Sequence, residues 1–251
     1  TSPEGEARKV VSPVSLVVTA FASLPDVRGT FTPQLAEDSA LVLVDLGAGR
    51  DRLGGSIAAQ VNGAFGTEVP DLDDPVRLTA LAEVLGVLRE RGLVTAYHDR
   101  SDGGLWAAVC EMAFAGGVGV DLAVDALPAL FAEELGVVLG VPVGRAEEVV
   151  DLLATQGLGD LSRVVGTTTT DRRVKVRVGG LPVLDEPVRD LAQAWDEVSW
   201  RITRLRDNPA CADEEHAAIG TDVPGLTVDL PFDPAEDIAA PYVNRGARPK
   251  V

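Results

Sequence analysis

Residues 93–117 read LVTAYHDRSDGGLWAAVCEMAFAGG. Leu93 to Tyr97 is short, apolar and partly β-branched, which predicts a strand. His98-Asp99-Arg100-Ser101-Asp102-Gly103-Gly104 follows as a dense polar turn. From Leu105 the apolar residues recur at helical spacing until Gly116-Gly117, which predicts a helix closed by glycine. A strand that runs through such a turn into a helix is the building unit of a layered fold.

The flanking sequence extends this pattern. Pro13 to Ala22 and residues 40–46 read as strands, the second as a buried apolar run. Gly47 to Arg52 form a loop that leads into Leu53-Gly54-Gly55-Ser56 and a helical run from Ile57 to Phe65. Residues 75–91 predict the clearest helix, capped by Asp74, opened by Pro75 and ended by Gly92. Strands are predicted at 118–124 and 135–143, a helix at 146–156, and strands at 161–169 and 173–178. In the last of these Val174, Val176 and Val178 face inward and Lys175 and Arg177 outward. Gly179-Gly180 signals a hairpin within an antiparallel stretch at 161–185, and a helix is expected over 188–206. The order suggests a layered α+β or α/β domain of about 190–205 residues. Residues 1–12 read as a linker, 13–206 as the domain, and 207–251 as an extended connector with no clear helix.

Composition removes several function classes. The chain has 251 residues, 46% of them hydrophobic, enough to bury a full core. Its formal net charge of −17 opposes non-specific nucleic-acid binding and attraction to anionic membranes. No apolar run is long enough for a membrane span, and no signal peptide is visible. Cys110 and Cys211 have no metal-type spacing and fit a reducing cytoplasm. The first residue is Thr1, so the chain is expected to start inside something longer or to have been processed. An acidic protein that binds phosphate must use backbone N–H groups, local cations or metal ions.

Three stretches could carry chemistry. At His98–Gly104, a helix N-terminus with free N–H groups suits a phosphate. Gly103 and Gly104 permit close approach, and Ser101 can donate an O–H. Asp99 and Asp102 could hold Mg²⁺, while His98 could act as acid, base or phosphate donor. On pattern alone the same turn reads first as a capped strand-to-helix junction, with Asp99 or Ser101 as the cap. Gly54-Gly55-Ser56 repeats this logic on a smaller scale, as a phosphate cradle or a plain helix start. Glu133-Glu134 could bind a metal or lie solvated at a helix end. His216 is expected at the surface, and no phosphate-binding P-loop or Ser-His-Asp arrangement is present.

Tyr97–Leu105 together with Glu111-Met112-Ala113-Phe114-Ala115-Gly116 resembles the signature of the second synthetase half of large, single-chain phosphoribosylformylglycinamidine synthases. PVSLVVTAFA at 13–22, TPQL at 32–35, LRDNPACADEEH at 205–216 and APYVNRGARPKV at 240–251 agree with it. The resemblance implies a three-layer α/β/α build of the α+β class, like the C-terminal domain of aminoimidazole ribonucleotide synthetase. It implies ATP and Mg²⁺ as cofactors and formylglycinamide ribonucleotide as substrate. The product is formylglycinamidine ribonucleotide, with glutamine as nitrogen donor. The partners it implies are upstream synthetase domains and a downstream glutaminase; nucleic acid and membrane are not expected. Carried over residue by residue, Ser101, Asp102, Gly103 and Gly104 approach a phosphate, Gly54, Gly55 and Ser56 line the same cleft, and His98 and Asp99 orient groups or bind Mg²⁺. Position 132 is Ala where the family usually has Asn, so a polar contact there is lost. A structural role, docking the glutaminase, is the alternative.

Overall fold

The computed structural model describes residues 17–23, 27, 29–221 and 227–243. Its elements are β1 (Ser39–Asp45), α1 (Ile57–Val61), α2 (Pro75–Glu90), β2 (Ala96–Asp99), α3 (Gly104–Gly116), β3 (Gly119–Val124), α4 (Pro128–Phe131), β4 (Gly136–Pro142), α5 (Ala146–Thr155), β5 (Ser162–Thr169), β6 (Arg173–Val178), β7 (Leu181–Pro187), α6 (Val188–Arg206) and α7 (Pro209–Ile219). All seven strands join one sheet in the order β2-β4-β1-β5-β3-β6-β7.

Helices cover both faces, giving the three-layer α+β build. β1 shows why its sequence is an unbroken apolar run. Leu41 and Leu43 enter one core with Leu105, Val109 and Met112 of α3. Val42 and Val44 enter the other with Leu81, Val84 and Leu88 of α2 and Val149 and Leu153 of α5. A strand buried on both sides has no polar face to alternate with. Each such aliphatic side chain contributes about 1.5–3 kcal/mol when fully buried.

α2 forms where Asp74 accepts a hydrogen bond from Val76 N and Pro75 fills the first turn. β6 alternates as read, with Val174 and Val176 buried. Lys175 pairs with Asp171, and Arg177 pairs with Asp121 at 2.9 Å. β5 and β6 are not neighbours, however. β3 lies between them, antiparallel to β5 and parallel to β6. Only β6 and β7 form the antiparallel hairpin, turning at Gly179 and Gly180, both at positive φ.

Four expectations change. The strand expected at 93–97 is displaced to Ala96–Asp99, so His98 and Asp99 pair with β4 instead of opening the turn. The helical run after Ser56 stops at Val61, because Asn62 caps it and Gly63 turns left-handed. The strand expected at 13–22 falls partly outside the described residues. Residues 17–23 form no strand, and Val17, Val18 and Phe21 are exposed. An apolar β-branched run becomes a strand only when a neighbour supplies the ladder. The connector from 207 is not extended throughout, because 209–219 is helical. Asn208 Oδ1 accepts from Ala210 N at 3.0 Å and Pro209 occupies the first turn, so the Asn-Pro pair starts a helix.

α7 packs on α6 through polar and aromatic groups. Trp200 stacks on His216 with ring centroids 4.4 Å apart. Asp213 accepts from Trp200 Nε1 and Arg204 Nε, and His216 Nδ1 lies 2.9 Å from Asp196. Replacing Asn208 by alanine is expected to remove about 0.5–2 kcal/mol of helix stability. Trp200 fluorescence during thermal unfolding checks this: α7 should detach before the sheet melts, and an unchanged Trp200 transition would contradict the cap.

Candidate functional site

β2 ends at Asp99 and α3 begins at Gly104. The turn between them needs two glycines because Gly103 and Gly104 have φ of +82° and +69°, a region costly for other residues. Gly104 also lacks room. A Cβ there would lie 2.8 Å from Ala132 O and 2.9 Å from Leu130 O. Its glycine therefore serves close packing of α3 on the 130–132 backbone. Ala132 is itself fully buried, which suits a small apolar side chain at that position.

No side chain caps α3, so the reading of Asp99 or Ser101 as its cap does not hold. Ser101 and Asp102 are exposed on the turn. Asp99 is engaged elsewhere, accepting from Tyr97 Oη at 2.5 Å. Burial and this bond raise the Tyr97 pKa. His98 lies in β2, with Nδ1 2.7 Å from Asp99 O. Its Nε2 lies 2.9 Å from Glu111 of α3, whose other oxygen accepts from Trp195 Nε1. These bonds tie β2 to α3 and α6, and they take His98 out of the cleft expected for it.

Arg100 is the buried charged member of the motif. Nε donates to Glu134 O at 2.6 Å, and Nη2 donates to Asp45 Oδ1 at 2.5 Å and Leu135 O at 3.2 Å. Asp45 also accepts from Gly47 N and Gly49 N. The adjacent Glu134, fully buried, takes a forked pair from Arg52: Nε to Oε1 and Nη2 to Oε2, both 2.7 Å. That fork is the main reason the Arg52 pKa rises. Glu134 is therefore neither solvated nor a metal ligand. Two opposite-charge pairs lock the loops after β1, before β4 and after β2 into one body.

The second glycine turn uses its donors internally. Gly54 N bonds Glu68 O, Gly55 N bonds Phe65 O, and Ser56 N bonds Leu53 O. Ser56 Oγ accepts from Ala59 N and so caps α1. This turn offers no spare N–H of its own to a phosphate. The next one, on Ile57, donates to Glu133 Oε1 at 2.8 Å. The same oxygen accepts from Gly103 N at 2.8 Å. The two turns thus meet on one carboxylate, and they border one cavity of about 710 Å³. Gly54 and Gly103 line it, with Ile57, Trp106 and Phe131 giving it a largely apolar wall. Gly55, Ser56, His98, Asp99, Ser101, Asp102 and Gly104 are not among the lining residues.

Of the pair expected to hold magnesium, Asp102 is exposed on the turn. Asp99 is bonded to Tyr97, and no group of three His, Cys, Asp or Glu able to hold a metal occurs among the described residues. Cys110 is buried, and burial pushes its thiol pKa up, which disfavours the thiolate form there.

Residues 36–179 match the family described as AIR synthase related protein, C-terminal domain, over more than half of the chain. The chain belongs to that family. The match spans β1 to β6 and contains both glycine turns and Glu133. In solved structures this AIR-synthase-like C-terminal fold recurs in PurL from Thermotoga maritima complexed with ATP, at 17% identity and a TM-score of 0.52 over 64% of this chain and 27% of that one. PurLQS from Thermotoga maritima gives 19%, 0.51, 63% and 26% for the same measures. PurL from that organism complexed with FGAR gives 17%, 0.50, 64% and 29%. The chain thus spans less than a third of these proteins, and the likeness shows the shared fold. No helix among the described residues is long and apolar enough to cross a membrane.

The sequence points to the glycine turns and to Glu133, the latter as part of a metal-binding or solvated pair, but not to Arg52, Arg100 or Trp106 as site residues. A basic residue inside an acidic turn, as Arg100 is between Asp99 and Ser101-Asp102, was the one available signal.

Proposed function

We propose that this chain is the last synthetase subdomain of a phosphoribosylformylglycinamidine synthase of the large single-chain type. In the assembled enzyme it forms one wall of the cleft for formylglycinamide ribonucleotide and ATP. The observation that carries this reading is the convergence of Gly54 and Gly103 on one cavity from turns 49 positions apart in sequence. An apolar wall with Trp106 suits a base or ribose, and the exposed Ser101 hydroxyl, beside the lining at the entry to α3, can donate to a phosphate. The motifs at 97–105 and 205–216 support the specific family, and so do solved relatives described with ATP and with FGAR. ATP supplies activation of the formamide oxygen; this chain binds and orients. Mg²⁺, which takes one or two protein carboxylates beside the phosphate oxygens, would be held by Asp102 and Asp99 at the turn. Upstream synthetase domains complete the cleft, a glutaminase supplies ammonia, and the enzyme works in the cytoplasm.

A second role is favoured by α6. Trp195, Val198, Ile202 and Leu205 form an exposed apolar stripe at helical spacing, 56–90% accessible. That stripe suits docking of the glutaminase. Substitutions from Arg204 to Asn208 are then expected to uncouple glutamine hydrolysis from product formation, and normal coupling would remove this role.

Calorimetric titration with formylglycinamide ribonucleotide and with Mg-ATP tests the main reading, on the chain alone and after adding an upstream synthetase segment. Binding is expected on reconstitution and should weaken on Ser101→Ala by about tenfold, the effect of one hydrogen bond to a charged group. Equal affinity for wild type and Ser101→Ala, or no binding in the reconstituted pair, would sink it.

A further inference from the structure

The sequence reads Glu133 as half of a metal-binding or solvated acidic pair; in the structure it is half-buried and bonded to two backbone N–H groups. One oxygen, Oε1, accepts from Ile57 N at the start of α1 and from Gly103 N at the entry to α3, each at 2.8 Å. The donors lie 76 residues before it and 30 residues before it. We propose that Glu133 is the positioning residue of the cleft: it sets the separation of the two glycine turns and hence the width of the cavity between them. The inference rests on the cleft proposed above.

Three observations make the side chain a clamp. First, its support is rigid. Ala132 and Glu134 on either side are fully buried, and Glu134 is held by the Arg52 fork. Second, α1 needs an outside tie. This five-residue helix has no buried residue, and the bonds of Gly54 and Gly55 run to its own loop at Glu68 and Phe65. Yet Ile57, Ala58 and Val61 of α1 form part of the cavity wall. Third, a carboxylate suits this place electrostatically. α3 is thirteen residues long and has no side-chain cap of its own, so its N-terminus favours a negative group. Glu133 satisfies the Gly103 N–H and leaves the exposed Ser101 and Asp102 side of the turn open.

The test uses this chain as wild type, Glu133→Gln and Glu133→Ala. The glutamine keeps a carbonyl oxygen able to accept both bonds; the alanine does not. Amide hydrogen exchange is followed by NMR at Ile57 and Gly103, with Leu43 in β1 as a control for global folding. Loss of a charge-assisted hydrogen bond is expected to speed exchange at both amides in Glu133→Ala by about tenfold or more. Glu133→Gln should stay within about threefold of wild type, and Leu43 should not change in either variant, since neutral hydrogen bonds retain roughly half the strength. Unchanged exchange at Ile57 or at Gly103 in Glu133→Ala overturns the proposal. ATP is the probe for the consequence. Its affinity should fall at least about fivefold in Glu133→Ala and be kept in Glu133→Gln, as misplacing one wall of a preorganised site predicts. Equal ATP affinity in all three proteins also overturns it. A wild-type chain that binds no ATP, alone or reconstituted, counts against the proposed function instead, and the exchange rates still decide the clamp.

Discussion

Replacing Arg100 by methionine is expected to remove about 3–5 kcal/mol of folding stability, the usual result of breaking a buried pair from one side. The side chains of Arg100 and Asp45 are each only 1% exposed. Methionine fills much of the volume, but it leaves the Asp45 carboxylate buried without its cation. It also frees Glu134 O and Leu135 O, which Arg100 holds at 2.6 and 3.2 Å. The effect should be read by urea denaturation of wild type, Arg100→Met, Asp45→Asn and the double variant. Asp45→Asn retains an acceptor for Gly47 N or Gly49 N but not both. The double variant should recover part of the loss, because the uncompensated charge is gone, giving a coupling of about 0.5–3 kcal/mol. Simple additivity would mean the pair is not the source of the cost. A loss below about 1 kcal/mol in Arg100→Met, the level of an exposed pair, would contradict the buried network.

The second large effect is expected at Gly104. Alanine there must adopt φ near +69°, which costs about 1–2 kcal/mol. Its Cβ must also enter the space held by Ala132 O, Phe131 C and Leu130 O, all within 2.9 Å. Overpacking against backbone adds about 1–3 kcal/mol. Gly92→Ala is the control, since Gly92 has φ of +60° and nothing within 4 Å of an added Cβ. Gly104→Ala should lower the thermal midpoint clearly more than Gly92→Ala. Equal shifts would mean that backbone conformation alone explains the glycine and that the packing of α3 on 130–132 is loose. The contrast separates a glycine kept for packing from one kept for a ligand. Gly103 is the better candidate for the ligand role, because it lines the cavity and Gly104 does not.

The sequence shows the fold wherever local physics decides it. β1 is legible because a strand between two helix layers has no polar face. α2 is legible because Asp74-Pro75 and Gly92 mark both ends. α7 is less so: its contacts to α6 are a Trp–His stack and carboxylate hydrogen bonds, which leave no aliphatic stripe. The place of β3 between β5 and β6 depends on which strands find each other in space, and no local pattern encodes that. The apolar run of 17–22 shows the reverse failure, strand propensity without a ladder. At the site, the paired glycines announce a special backbone. What they border does not show, because Arg52 and Arg100 become buried only through partners 82 and 55 positions away. The acceptor that joins the turns, Glu133, bonds backbone N–H groups, which carry no residue-type signal at all.

The two glycine turns are proposed to form one wall of a ribonucleotide cleft. The most direct measurement is a titration of formylglycinamide ribonucleotide into the isotopically labelled chain with its upstream partner segment, following amide shifts and the three tryptophan indoles. The account predicts the largest changes at Ser101, Gly103 and Gly54 and at the Trp106 indole, with Trp195 and Trp200 quiet. Changes confined to α6 and α7, or a silent Trp106, would contradict it and leave the domain as a docking scaffold.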